Sequence, residues 1–82
     1  MIPQALRQEV TLTTGPDLRA LRERYSFTKK ELAEELGLHV QTITYREMRA
    51  HINPEWVGDY VRALEAMTTR RLEKARRMVD EL

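Results

Sequence analysis

From Pro54 to Leu82 the chain contains no further proline, and this run constrains the fold more than any other feature. Asn53 can cap a helix there, Pro54 suits the first helical turn, and Glu55 sets an acid at its positive end. One helix over that run would hold about 29 residues and reach roughly 43 Å. That is longer than the core of an 82-residue chain can cover, so such a helix must overhang. Its first half, with Trp56, Val57, Tyr60, Val61 and Leu64, is apolar enough to close a small domain. Its second half repeats Leu72, Ala75, Val79 and Leu82 at spacings of three and four, a stripe that needs another surface. Thr68-Thr69, a pair of β-branched residues, is where a bend or break is expected.

What remains is room for one small domain. With 41% hydrophobic and 33% charged residues, three Gly and three Pro, the composition is that of a folded, charge-rich helical protein. Cysteine is absent, which excludes disulfides, thiolate zinc sites and a cysteine nucleophile. His39 and His51 stand too far apart for a local metal pair. No apolar run approaches the ~20 residues of a membrane span, and the N-terminus lacks a basic-then-apolar signal pattern, so a cytoplasmic protein without membrane contact is expected. No paired carboxylates, metal-ligand spacing, phosphate-binding glycine loop or nucleophile with a base is visible, so we expect no enzyme, catalytic residue, metal or cofactor. The net charge of +1 neither announces nor excludes a nucleic acid, because phosphate binding depends on a local basic face. Most of the imbalance lies in Arg70 to Arg77, where five bases meet one acid.

Along the chain, residues 1–14 carry no helical period. Glu9 to Thr13 alternates and is rich in β-branched residues, so this segment reads as a mobile arm or a short strand. Gly15-Pro16-Asp17 opens a first helix that runs to about Tyr25, with Leu18, Leu21 and Tyr25 inward. Thr28-Lys29-Lys30-Glu31 is a capping box that starts a second helix. Leu32, Ala33 and Leu36 face inward, and Gly37 can end it in the left-handed conformation. Leu38 re-enters the core, and residues 39–47 form a third helix in which Ile43 is the main inward residue. A helix with so little apolar surface keeps its Gln, Thr, Tyr and Arg face for contact.

A capped helix, a glycine-containing turn and a polar second helix match the helix-turn-helix, whose second helix enters the DNA major groove. The stretch from Phe27 to Glu47 resembles the Cro and phage-repressor class, also called the xenobiotic-response-element family. Leu32-Ala33, Gly37, Ile43 and Glu47 stand at that family's spacings, and the resemblance extends from Leu18 to about Leu64. It implies an all-α fold, a small lambda-repressor-like bundle over residues 15–67, with the arm (1–14) before it and a helical extension (68–82) after it.

The resemblance assigns base-edge contacts to Val40, Gln41 and Tyr45, with Thr44 near the groove. Helical period independently puts Gln41, Thr44 and Tyr45 on one face. Gln41 suits adenine and Val40 a thymine methyl. Thr28 and Lys29 stand where the family contacts phosphate, and Lys30, His39, Arg46, Arg49 and His51 are further backbone candidates. Arg22 stands where a family arginine pairs with the closing glutamate, which implies a bridge to Glu47. Three residues depart from the pattern: Lys29 replaces a usual glutamine, Glu35 a usual apolar residue, and Arg49 a usual glycine. At Arg49 the departure implies either another loop conformation or a strained residue.

The expected function is that of a sequence-specific, double-stranded DNA-binding regulator, a homodimeric repressor on an inverted-repeat operator. Leu72, Ala75, Val79 and Leu82 would form the dimer seam, and the basic run would stay in water or touch flanking DNA. The alternative is an antitoxin-like module whose C-terminal helix engages a protein partner.

Overall fold

The computed structural model describes residues 12–82, which form four helices and, among the described residues, no strand. These are α1 (Gly15–Arg24), α2 (Lys29–Leu36), α3 (Val40–Met48) and α4 (Pro54–Asp80). The expected arm or strand over residues 1–11 lies outside the described residues. Leu12, Thr13 and Thr14, grouped with the arm on sequence grounds, belong to the folded domain. Leu12 packs against the core, and the Thr13 carbonyl accepts from the Ile52 N–H at 3.2 Å.

Each helix begins at a residue that satisfies its free amides. Thr14 caps α1 in a reciprocal box: its hydroxyl accepts from the Asp17 N–H, and the Asp17 carboxylate accepts from the N–H groups of Thr13 and Thr14. Pro16 therefore sits at the second helical residue, one later than the sequence suggests. Thr28 and Glu31 form the same box on α2. His39 caps α3 through Nδ1, and Asn53 caps α4 through its side-chain oxygen. Gly37 ends α2 at φ 68°, a left-handed turn that glycine adopts without a Cβ penalty.

The core lies between the four helices and is built from Leu18, Leu21, Phe27, Leu32, Ala33, Ile43, Tyr60, Ala63, Leu64 and Met67. Trp56, Val57 and Val61 are half-buried at its edge, as their stripe implies. The start of α1 lies directly against the end of α3. A Cβ on Gly15 would stand 2.6 Å from the carbonyls of Arg46 and Glu47, and the Gly15 N–H donates to the Arg49 carbonyl at 2.7 Å.

α4 runs unbroken through Thr68-Thr69, contrary to the bend expected there. Threonine costs a helix only a few tenths of a kcal/mol, and no proline or glycine interrupts the turn. Two contacts just beyond also hold the helix on its course. Arg70 pairs with Glu35 of α2, and the Arg71 guanidinium lies 3.9 Å from the Phe27 ring centroid. Glu35, polar where the core pattern asks for an apolar residue, is thus the anchor for the long helix. From Thr69 onward every residue of the chain is exposed.

Candidate nucleic-acid interface

α2, the Gly37 turn and α3 form the helix-turn-helix, and the rear of α3 is fastened on two levels. Ile43 is fully buried among the other helices. One turn on, Glu47 is buried and accepts from both Nε and Nη2 of Arg22, each at 2.9 Å. The Tyr60 hydroxyl of α4 donates to the same carboxylate at 3.0 Å. Arg22 also donates from Nη1 to the Phe27 carbonyl at 2.9 Å, reaching the turn that leads into α2. One buried fork thus joins α1, α3, α4 and the α1–α2 turn. The bidentate geometry is what a desolvated pair needs to offset the loss of water. Hydrogen bonding to Glu47 raises the Arg22 pKa, and burial, followed by the charge of Glu47, raises that of Tyr60.

With its rear fastened, α3 presents Val40, Gln41 and Tyr45 to solvent. Thr44 is half-buried, and its hydroxyl donates to the Val40 carbonyl at 3.3 Å, so the groups left for a ligand are its methyl and the acceptor lone pairs of that hydroxyl. Gln41 has an unobstructed planar amide on the same face as Tyr45. The Arg49 guanidinium lies 5.2 Å from the Tyr45 ring centroid, which places a cation beside that face.

The phosphate candidates separate into two groups. Thr28 and Lys30 are exposed at the start of α2, with Lys29 half-buried beside them. His39 is exposed at the start of α3; since its Nδ1 accepts from the Gln41 N–H at 3.2 Å, Nε2 is the nitrogen left to donate. Arg49 and His51 are exposed in the loop after α3. Arg46 does not belong with them. Its guanidinium lies 4.9 Å from the Trp56 ring centroid and 3.7 Å from Asp59, with only 13% of the side chain exposed. The neighbouring aromatic and carboxylate draw this cation inward, a placement that the local sequence around α3 does not announce.

Arg49 has φ −73° and ψ 139°, so the loop takes an extended conformation and no strain is stored at the position where the family has glycine. Among the described residues, the non-glycine residue with positive φ is Ser26, at 61°, in the α1–α2 turn. Arg71 reaches that turn from α4, toward the carbonyls of Tyr25 and Ser26. Neither Ser26 nor Arg71 carried a sequence signal for this role. Tyr60 did in part: its apolar spacing marks it as buried, but not which polar group its hydroxyl would meet.

Among the described residues no cluster of His, Asp and Glu is placed to hold a metal, and no helix is long and apolar enough to cross a membrane.

A helix-turn-helix family model matches residues 18–65, a span that contains α2, the turn, α3 and the core half of α4. The chain belongs to the helix-turn-helix family, in its Cro and phage-repressor branch. It is a DNA-binding transcriptional regulator. No curated protein and no solved structure gives a significant match.

Proposed function

We propose that the protein is a homodimeric repressor that reads an inverted-repeat operator by inserting α3 into the major groove. The observation that carries this reading is the division of α3: Ile43 and Glu47 are buried behind it, while Val40, Gln41 and Tyr45 stand free in front. Gln41 supplies paired donor and acceptor atoms toward adenine, Val40 and the Thr44 methyl pack on thymine methyls, and Tyr45 lies along a sugar. Thr28, Lys29, Lys30, His39, Arg49 and His51 contact backbone phosphates, which set register without reading sequence. Repression is by occupancy of the promoter, without catalysis or cofactor. The dimer rests on α4, whose exposed stripe of Leu72, Ala75, Val79 and Leu82 asks for a second copy.

The test is selection of bound duplexes from a randomised pool at near-physiological salt. Enrichment of inverted half-sites supports a dimeric sequence reader, and weak, salt-sensitive binding without enrichment overturns it. The same exposed stripe favours a second reading, in which an antitoxin-like helix is covered by a foreign protein. A monomer at every concentration in sedimentation would select that reading over the homodimer.

A further inference from the structure

The overhanging part of α4 carries a two-stranded seam whose flanks discriminate between ways of pairing. Leu72, Met78, Val79 and Leu82 are 65%, 61%, 66% and 104% exposed. Thr68, Leu72, Ala75, Val79 and Leu82 alternate at four and three residues, so 72 and 79 take heptad position a, and 68, 75 and 82 position d. Position g is then Arg71 and Met78, and position e is Thr69 and Arg76.

We infer that two copies of α4 pair antiparallel, with Thr68 of each opposite Val79 of the other and Leu72 opposite Ala75. This rests on the homodimer reading above and adds its geometry. In a parallel, in-register pair each g residue meets the e residue of the next heptad on the other helix. That sets Arg71 against Arg76 on both sides of the seam, two like-charge contacts beside a stripe that is only moderately apolar. An antiparallel pair instead sets e against e and g against g. In the register named here Arg76 meets Thr69, and Met78 meets Arg71, whose guanidinium stays on the Phe27 ring while its aliphatic stem is the part left to cover the exposed thioether. Shifting the partner one heptad outward sets Arg76 against its own copy. Shifting it one heptad toward the core sets Arg71 against its copy and Arg62 against Arg76. Among these arrangements the named one has no cation facing a cation at the flanks, and such flank charges choose orientation in paired helices. The DNA-reading domains then sit at opposite ends of the paired helices, so the register of the tails sets the half-site spacing.

Because the natural chain has no cysteine, single cysteines report the pairing directly. Thr68→Cys and Val79→Cys variants, one carrying a mass tag, are oxidised gently alone and as an equimolar mixture, then resolved without reductant. Circular dichroism establishes that each variant keeps its helix content, and sedimentation gives the mass of the unmodified protein. The inference expects a covalent heterodimer in the mixture and little product from either variant alone. In the proposed register the two Val79 positions are offset by about 16 Å along the helix axes alone, already beyond disulfide reach. Cross-linking of Val79→Cys with itself, at dimer mass, would overturn the antiparallel orientation while the dimer stands. No cross-link at dimer mass would move the interface off this stripe, and no cross-link at monomer mass would overturn the homodimer reading as well.

Discussion

The Tyr60 hydroxyl and the Arg22 Nε share one oxygen of Glu47, at 3.0 Å and 2.9 Å, so the helix that closes the domain also helps orient α3. Tyr60→Phe removes a hydrogen bond to a buried charge and leaves the arginine in place. The expected loss is about 1.5 to 3 kcal/mol of stability, measured by urea denaturation. A loss near zero would mean that Arg22 alone satisfies the carboxylate.

Removing one charge of the Arg22–Glu47 pair has a larger effect. Glu47→Gln leaves the guanidinium buried without its anion and is expected to cost about 3 to 5 kcal/mol. An Arg22→Met/Glu47→Leu double variant should recover much of that stability, since neither charge is then stranded. The cycle of single and double variants gives the coupling, and additive losses would argue against a direct pair.

Gly15 and Gly58 offer a contrast between backbone crowding and open space. A Cβ at Gly15 would meet the α3 backbone at 2.6 Å, whereas one at Gly58 meets the flexible Arg62 guanidinium at 3.2 Å. Gly15→Ala should therefore destabilise by about 1 to 3 kcal/mol. Gly58→Ala, within a helix, should be stabilising by roughly 0.4 to 1 kcal/mol. Thermal melts of the two variants check both signs.

Acid should weaken the fold through its two capping boxes. The Thr13 N–H, and then the hydroxyl and N–H of Thr14, hold the Asp17 carboxyl below the usual carboxylate range; the N–H and hydroxyl of Thr28 do the same for Glu31. A carboxylate with a lower pKa folded than unfolded binds fewer protons in the native state. Its stabilisation is complete above the ordinary pKa of about 4 and is lost as pH falls through the lower folded value. The melting temperature should drop between about pH 5 and pH 2, and an Asp17→Asn/Glu31→Gln variant should show a shallower drop. Parallel curves for the two proteins would assign acid sensitivity to other groups.

At the DNA face, Gln41→Ala should weaken the preferred operator by about 1 to 3 kcal/mol and relax base choice. Lys29→Ala should weaken all duplexes alike and lower the salt slope by about one. Competition binding against a ranked set of duplexes separates the two. An unchanged ranking for Gln41→Ala would move the reading face elsewhere on α3.

Much of this protein is determined locally and is therefore legible in its sequence. Thr28, Glu31 and Gly37 act on backbone groups within four or five residues, so the start and stop of α2 follow from neighbours in the chain. The apolar positions of the four helices together name most of the core, with Phe27, Ala63 and Met67 the exceptions, and the spacing from Leu32 to Glu47 points to the helix-turn-helix. What the sequence left open depends on approach between distant segments. Arg46 read as a surface cation until Trp56 and Asp59 packed beside it, and Glu35 read as a flaw in the core pattern until Arg70 reached it. Thr68-Thr69 suggested a break because local propensity is small but visible, whereas the Arg70 and Arg71 contacts that carry the helix past it are tertiary. Gly15 shows the same division: the sequence marks a helix start, but only the packing of α1 on α3 decides that no side chain fits there.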